Sequence, residues 1–416
     1  MQKVVFDEPY EFVPPHRGKF WSWAVGIYLP RLVLNRFGVT GWKTEGLEHI
    51  RDSLQRKRGI VLCPNHSRPS DPVLVGAITT GVPVHCYAMA SWHVFKQNWL
   101  ETFVCRKIGG FSVYREGMDR KALDLAIDIV TTGERPLVIF PEGVISAAND
   151  RLMPLMDGTS FVARAAARKR AKADPDSRVV VHPVAFRYQH EGDPDELLTP
   201  VVERLEQRVF WRAQSELPLL ERIRRLRLGM QSAREIQWLG KNLTGTDEER
   251  IHQLVQSMLE RREEEWLGKR RTGDVIGRVK DLRIAILTDM VKGKVDETER
   301  KRRWRHLADA YYSQSFSLHP PAYLDENLPI ERLNHRMFET VERLEEELTD
   351  SVTNHKDMSV VVKVAEGIEV DPEGKKSRGS DPLMNELRAS MLQLMGVDDH
   401  WPPEPIQDFN IPGEEA

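Results

Sequence analysis

The chain has 416 residues, which is enough to bury at least one hydrophobic core and, by length alone, to form roughly two or three folding units. Its 60 basic and 63 acidic residues nearly cancel to a formal net charge of -3, so the composition gives no reason to expect nucleic acid as a partner. The three cysteines, Cys63, Cys86 and Cys105, are widely spaced and form no CxxC pair, which argues against a disulfide framework or a zinc site and favours a reducing, cytoplasmic location.

The first 38 residues predict an N-terminal extension with one amphipathic helix. Its opening contains acidic residues and prolines where a secretory signal needs a basic start and an apolar run, so we expect no export signal. The apolar stretch at 20–37 is broken by Pro30 and Arg31 and falls short of the roughly 20 apolar residues that span a bilayer. Its aromatic residues and flanking cations are typical of a helix lying in a membrane interface, and a helix docked on the core has the same composition.

Short β-like runs alternate with helix-like segments between residues 39 and 193, which is the pattern of an α/β layer structure. The sequence therefore predicts a mixed β-sheet flanked by helices. Pro183 stands in the last of the predicted strands and suggests an edge or an end of the sheet, since proline lacks the N–H that a central strand uses. The expected strands are 59–64, 84–90, 137–140 and 179–186, and the expected helices begin near 72, 92, 119 and 160.

Charged segments with a 3.6-residue apolar period follow one another after residue 194 and predict helices. The β pattern returns once, at 358–370, and a final helix follows it. Because a single strand is not stable alone, we expect 358–370 to join the N-terminal sheet. The predicted divisions are an N-terminal extension at 1–38, an α/β core at 39–193 and 358–397, a large all-helical insertion at 194–357, and a disordered tail at 398–416.

The most informative segment runs from the predicted strand at 59–64 through a polar turn into the next predicted helix. A chain that turns there can bring His66 and Asp71 together, although five positions along a continuous helix would diverge. A carboxylate on one ring nitrogen then leaves the other nitrogen free to take a proton from an attacking hydroxyl. Two simpler interpretations stay open, because Asp71 before Pro72 also suits a helix cap and His66 could be a loop histidine bonded to backbone.

Two other segments place functional residue types just after predicted strands. LVIFPEGVIS puts Glu142 and Gly143 at the carboxyl end of a strand, where ligands often gather. KIGGFSVYRE places Arg115 after a short strand, and the planar fork of arginine can bind two phosphate oxygens at once. Taken singly, these segments are equally typical of an ordinary strand-to-loop turn and of a surface arginine.

In this order and spacing, four segments resemble the glycerol-3-phosphate and 1-acylglycerol-3-phosphate acyltransferase family. Its blocks are a His, four residues, Asp box (the HX4D motif), a glycine-to-arginine block, a Phe-Pro-Glu-Gly block and a Val-Pro strand. The resemblance covers about 39–190 and 358–396 and leaves the helical insertion unexplained. The four blocks stand here as HSRPSD at 66–71, GGFSVYR at 109–115, FPEGVIS at 140–146 and VVVHPVA at 179–185.

The resemblance implies transfer of a fatty acyl group from a thioester of coenzyme A or acyl carrier protein to a hydroxyl, with no cofactor and no metal. It implies a glycerolipid precursor as acceptor, hence a place in phospholipid biosynthesis, and a peripheral position at the cytoplasmic face of a membrane. Backbone amides after Asp71 or near Gly143 are the candidates for the oxyanion. The implied roles are His66 as base, Asp71 as its orienter, Arg115 as phosphate ligand, and Glu142, Gly143 and Ser146 in the acceptor site.

Two departures from the family pattern bear on the acceptor. The third block usually continues Thr-Arg-Ser, but Val144, Ile145 and Ser146 stand here, so a cation expected at the acceptor phosphate is missing. Arg68 occupies a position inside the first box that is commonly serine, and we expect it to replace part of the lost charge.

Three alternatives stay open at this point. The acceptor could be an unphosphorylated lipid, amine or alcohol. The protein could instead be a non-catalytic scaffold at a membrane, in which the helical segment recruits partners. The basic run at 300–306 could dock anionic lipid or an acidic carrier protein, although its acidic neighbours favour a solvated helix face.

Overall fold

A computed structural model describes residues 7–96, 98–353, 355–374 and 381–398. The predicted disordered tail lies outside these residues, apart from its first position. Eight strands of the described chain form one sheet. They are β1 (Val39–Glu45), β2 (Gly59–Pro64), β3 (Tyr87–Ser91), β4 (Gly110–Val113), β5 (Leu137–Val138), β6 (Val179–His190), β7 (Met358–Val364) and β8 (Ile368–Glu369).

The sheet is mixed, with the order β1-β7-β6-β2-β5-β3-β4 and with β8 beside β6. Strands β6, β2, β5, β3 and β4 are parallel, whereas β7 and β8 run antiparallel to β6. All six residues of β2 are buried because helices cover both faces of the sheet. The predicted mixed α/β architecture is confirmed.

Helices on the two faces enclose two hydrophobic cores. Alternate residues of β2 point to opposite sides, so that Ile60 and Leu62 face one core while Val61 and Cys63 face the other. The first core includes α1 (Phe20–Phe37), α2 (Leu47–Gln55) and α3 (Asp71–Gly81). The second includes α5 (Arg120–Thr132), α6 (Gly158–Ala173) and α13 (Pro382–Met395), while α4 (Trp99–Lys107) follows β3.

The late strand belongs to the N-terminal sheet. Strand β7 pairs in parallel with β1 and antiparallel with β6, and β8 pairs with β6 at Val180 and Val181. The expectation that 358–370 joins this sheet is therefore confirmed. The underlying reason is that β7 is not stable alone, and its pairing with β1 and β6 satisfies backbone hydrogen bonds on both of its edges.

Three local expectations are corrected. The single helix expected from residue 92 is a short 3₁₀ turn at Trp92–Phe95 and then α4, because the Asn98 side chain accepts the amide of Glu101 and starts a new helix. The strand expected at 137–140 is only two residues long. Pro183 lies in the middle of the central strand β6, where its carbonyl accepts the amide of Ala365 in the break between β7 and β8. Its missing N–H faces that break, so no ladder hydrogen bond is lost.

Helix α1 both docks on the core and faces outward. Leu29 and Val33 are buried, and Leu29 lies so close to Gly76 of α3 that a Cβ there would meet its side chain at 2.7 Å. The opposite side exposes Phe20, Trp23 and other large apolar residues. The interpretation as a helix docked on the core therefore holds for one face, and the membrane-interface interpretation stays a prediction. Among the described residues, no helix combines the length and the apolar character needed to cross a bilayer.

Between β6 and β7, six helices of the described residues form what we call the helical block. One hydrophobic core joins α9, α10 and α11, and another joins α7, α8 and α12. Three arginines of the basic run lie against carboxylates, namely Arg300, Arg302 and Arg303. This favours a solvated helix face over a docking site for lipid or a carrier protein. The division of the chain into domains stays a prediction. The helices are α7 (Pro194–Phe210), α8 (Leu219–Leu239), α9 (Asp247–Leu267), α10 (Val275–Val291), α11 (Glu297–Leu318) and α12 (Ile330–Thr349).

Candidate active site

The predicted site residues follow the carboxyl ends of parallel strands, which meet at one edge of the sheet. We call this the carboxyl edge. His66 follows β2, Glu142 follows β5, and Arg115 follows β4. His93, which the sequence did not single out, follows β3.

His66 and Asp71 are in direct contact. Nδ1 of His66 lies 3.0 Å from Oδ2 of Asp71, and the same carboxylate oxygen accepts the backbone amide of Arg68 at 2.8 Å. That second bond closes the turn between β2 and α3 and aims the carboxylate at the imidazole. The carboxylate bonds to groups before the helix, so capping α3 does not account for Asp71.

Tyr188 completes the surroundings of Asp71. Its hydroxyl donates to Oδ1 of Asp71 and lies 2.8 Å from Oγ of Ser70. Burial and the negative charge of Asp71 raise the pKa of Tyr188 well above its ordinary value, so the hydroxyl keeps its proton and stays a donor. Sequence reasoning missed Tyr188 because it lies just beyond the expected strand and carries no motif.

The His66 ring presents its second nitrogen away from Asp71. Because the carboxylate accepts a hydrogen bond at Nδ1, the proton sits there and Nε2 keeps a lone pair. Within the described part of the chain, Nε2 has no hydrogen-bond partner. The side chain is 14 % exposed and packs against Phe140, with ring centroids 4.3 Å apart. This geometry suits a base that takes a proton from a hydroxyl.

Glu142 holds the backbone of His66. Its carboxylate accepts the amide of His66 at 2.5 Å and that of Met153 at 2.8 Å, and the residue is fully buried. Burial raises the pKa of Glu142 to about 7, and the charge of Asp71 raises it further, while the two backbone amides oppose both effects. The predicted role of Glu142 in the acceptor site gains no support from this placement, because the carboxylate faces inward.

Gly143 is required by the shape of the turn. Its φ of +66° is left-handed, and an added Cβ would lie 2.7 Å from Sδ of Met156. Its own amide donates to the carbonyl of Phe140 at 3.2 Å, so this amide is not free for an oxyanion. The amides of Val73 and Leu74 at the start of α3 both donate to the carbonyl of Ser70, which removes these candidate donors as well.

Ser146 fixes the other side of His66. Its amide donates to the carbonyl of His66 at 2.8 Å, and its hydroxyl donates to the carbonyl of Ala148 at 3.1 Å. The loop after Gly143 therefore lies beside His66. Among the described residues, the backbone amides of Val144 and Ile145 in this loop donate no hydrogen bond.

Arg68 is neutralised by the helical block. Its Nη1 lies 3.0 Å from Oε2 of Glu342, and its Nη2 lies 4.0 Å from Oε1 of Glu339, both on α12. Burial would lower the pKa of Arg68, but these two carboxylates outweigh it and raise the pKa. The expectation that Arg68 replaces the missing cation gains no support, since its charge is already compensated.

Arg115 has the opposite surroundings. Among the described residues its guanidinium forms no hydrogen bond and no ion pair. Burial, together with the positive charge of Arg283 on α10, lowers the pKa of Arg115 to about 10. It stays charged at neutral pH, so this half-buried cation is open to an anion.

The helical block covers the carboxyl edge. Ile276 and Leu318 pack with Val144 of the third block and with Met153, which follows it. Farther along, Glu339 of α12 accepts the backbone amide of Asn149 at 2.8 Å. Together with the contact between Arg68 and Glu342, these contacts place the helical block beside the first and third blocks. No group of three metal-ligating side chains occurs among the described residues.

Comparison with known proteins points to the same region. Residues 44–187 match the family model described as Acyltransferase. This acyltransferase region contains His66, Asp71, Arg115 and Glu142 at the carboxyl edge, and the match supports an acyl-transferring activity. The helical block lies outside it. No curated protein matches the chain.

Proposed function

We propose that the protein transfers a fatty acyl group from a thioester of coenzyme A or acyl carrier protein to a hydroxyl of glycerol 3-phosphate or lysophosphatidate. The observation that carries the proposal is the pair formed by His66 and Asp71, 3.0 Å apart, with no hydrogen bond at Nε2 of His66 from any described residue. The pair lies within the region that matches the Acyltransferase model.

The proposed reaction has two steps. Nε2 of His66 takes the proton of the acceptor hydroxyl while the hydroxyl oxygen attacks the thioester carbon, and the carbonyl oxygen becomes negative. The tetrahedral intermediate then breaks its C–S bond, and the leaving sulfur takes the proton from His66. Asp71 stabilises the imidazolium between the two steps. General-base catalysis of this kind contributes roughly 10²- to 10⁴-fold.

The amides of Val144 and Ile145 are the donors we assign to the oxyanion. They follow Gly143 in the loop whose next amide bonds the His66 carbonyl. Two backbone N–H groups fixed before the reaction stabilise the developing charge without reorganising. The packing of Val144 with Ile276 and Met153 holds this loop in place.

An exposed apolar surface on α1 and α4 supports a lipid acceptor. Eight of the fourteen exposed large apolar side chains in the described part of the chain belong to these two helices. Trp21 packs edge-on against Phe103, with ring centroids 5.2 Å apart, so the helices form one surface, the aromatic face. Its exposed side chains are Phe20, Trp23, Ile27, Tyr28, Leu34, Trp99, Leu100 and Phe103.

Cations border the aromatic face. Helix α1 contains no acidic residue, and Glu101 of α4 is paired with Arg36. Exposed aromatic side chains among cations suit the headgroup region of an anionic membrane. We therefore infer that the protein binds a membrane surface through this face, and its cytoplasmic location stays a prediction. The exposed cations are Lys19, Arg31, Arg36, Lys96 and Arg106.

A panel assay tests the proposed function. Purified protein is incubated with palmitoyl-coenzyme A or palmitoyl-acyl carrier protein and with glycerol 3-phosphate, lysophosphatidate or monoacylglycerol, and products are measured by mass spectrometry. We expect an acylated phosphorylated acceptor. Ile145 in place of the usual arginine motivates the second candidate, an unphosphorylated acceptor, which product from monoacylglycerol alone would favour. No product with any pair would leave the scaffold alternative.

A further inference from the structure

Arg115 and Arg283 lie close together at the carboxyl edge, one from the sheet and one from the helical block. Arg283 is only 6 % exposed. Its Nε lies 3.0 Å from Oε1 of Glu116, the residue after Arg115, and its Nη1 donates to the Tyr311 hydroxyl at 3.3 Å. The orientation of this ion pair leaves the buried Nε–H of Arg283 without a hydrogen bond.

The charges of this cluster do not balance. Glu116 pairs with Arg283 alone, so the positive charge of Arg115 has no partner among the described residues. His93 adds no compensation, since burial and the charges of both arginines lower its pKa to about 3 and keep it neutral. A partly buried arginine without an opposite charge is unfavourable, and a bound anion would offset that cost.

The cluster also bears on the cation that is missing from the third block. Ile145 stands where the family has a cation, and Arg68 is compensated by Glu342 and Glu339. Arg283 comes instead from α10, far along the chain. No motif in the sequence could have linked it to Arg115.

We propose that Arg283 supplies the missing cation and that Arg115 and Arg283 together bind the phosphate of a phosphomonoester acceptor. The proposal rests on the proposed function, because it names the acceptor class of the same site. Each guanidinium can offer a pair of N–H donors to a tetrahedral phosphate, which carries close to two negative charges at about pH 7. The helical block then completes the acceptor site and does not merely cover it.

Direct binding tests the proposal without relying on catalysis. Isothermal titration calorimetry of the full chain with glycerol 3-phosphate, and separately with inorganic phosphate, gives the Kd. For Arg283→Gln and Arg115→Gln we expect Kd for glycerol 3-phosphate to rise about 10- to 100-fold, because each change removes charge-assisted hydrogen bonds. Arg278→Gln is the matched control, since Arg278 lies on α10 like Arg283 but pairs with Glu263 of α9. We expect this change to leave Kd within about twofold.

Glu116→Gln separates an anion site from a structural ion pair. If Arg283 only anchors α10 to Glu116, then Arg283→Gln and Glu116→Gln break the same contact and change Kd in the same direction. If Arg283 binds phosphate, Glu116→Gln removes a competing negative charge and lowers Kd, whereas Arg283→Gln raises it. Arg283→Lys keeps the charge but loses the planar fork, so we expect its Kd to lie between those of the wild type and Arg283→Gln. Glu116→Gln keeps the test decisive even if the Arg283 variants do not fold.

Kinetic measurements distinguish a free phosphate ester from a lipid headgroup. They also separate a failure of the anion site from a failure of the proposed acyl transfer. A rise in KM with Arg283→Gln for glycerol 3-phosphate alone identifies a free phosphate ester, and a rise for lysophosphatidate alone identifies a lipid headgroup. If Arg283→Gln leaves Kd and KM unchanged for glycerol 3-phosphate and for lysophosphatidate, the anion site is overturned. Acyl transfer by the wild type in the same assay then upholds the proposed function. Opposite shifts of Kd in Arg283→Gln and Glu116→Gln without any transfer uphold the anion site and overturn the proposed function.

Discussion

Replacing Tyr188 with phenylalanine removes one oxygen from the surroundings of His66 and Asp71, the proposed catalytic pair. The Tyr188 hydroxyl donates to Oδ1 of Asp71, while Oδ2 is held by His66 and by the amide of Arg68. Both Tyr188 and Asp71 are buried, so water does not readily take the place of the lost donor. Without the Tyr188 hydroxyl, Oδ2 of Asp71 keeps its hydrogen bonds and Oδ1 loses the one from Tyr188.

A hydrogen bond to a charged group contributes about 1.5–3 kcal/mol, and an unsatisfied buried acceptor costs a similar amount. We therefore expect Tyr188→Phe to lower the free energy of unfolding by about 1–3 kcal/mol and kcat by about 10- to 100-fold. KM is expected to change little, because Tyr188 acts through Asp71 and His66 and does not touch the acceptor. We infer that Tyr188 is a positioning residue for the proposed pair.

Steady-state kinetics with a saturating thioester donor, together with urea unfolding, measure the two effects. Tyr312→Phe is the matched control, since the Tyr312 hydroxyl also donates to a carboxylate, that of half-buried Glu347, but within the helical block. We expect a similar loss of stability in both variants and a large loss of kcat only in Tyr188→Phe. Equal kcat values in the two variants would refute the positioning role.

Burial raises the pKa of Glu142 from 4.5 to about 7, so the folded state binds this proton more tightly. Its stabilisation is complete below about pH 4.5 and is lost as the pH rises through about 7. In urea unfolding the wild type should lose roughly 3 kcal/mol relative to Glu142→Gln over that range, and a gain would contradict the burial. Gly143→Ala should lose about 1–2 kcal/mol or more because its φ is +66°, and an unchanged midpoint would contradict this. The double variant Trp23→Ala/Trp99→Ala should no longer sediment with anionic vesicles. Trp211 is 91 % exposed but lies outside the aromatic face, so Trp211→Ala should still sediment with them. Equal loss in both would contradict a specific membrane surface.

The parts of the site that could be predicted are those with local signals. The apolar run of β2, the polar turn and the proline after Asp71 together predict a strand, a turn and a helix. That geometry brings His66 and Asp71 within 3.0 Å of each other. The pairing of β7 with the sheet could be predicted because a lone strand has no stable alternative.

The remaining features depend on contacts between distant parts of the chain. The partners of Arg68 lie on α12, and Arg283 reaches Glu116 from α10. The sequence shows that a carboxylate follows a strand. It does not show whether that side chain faces a ligand or the protein interior. The inward orientation of Glu142 is decided by the amides of His66 and Met153. Composition and spacing do not encode such orientations.

We propose that His66 is the base in an acyl transfer. The most direct measurement is the rate of acyl transfer to glycerol 3-phosphate and to lysophosphatidate by the wild type and by His66→Ala, with near-ultraviolet circular dichroism as the control for folding. We predict a fall of about 10²- to 10⁴-fold in kcat with an unchanged spectrum. A folded His66→Ala protein that transfers acyl groups at the wild-type rate would contradict the claim.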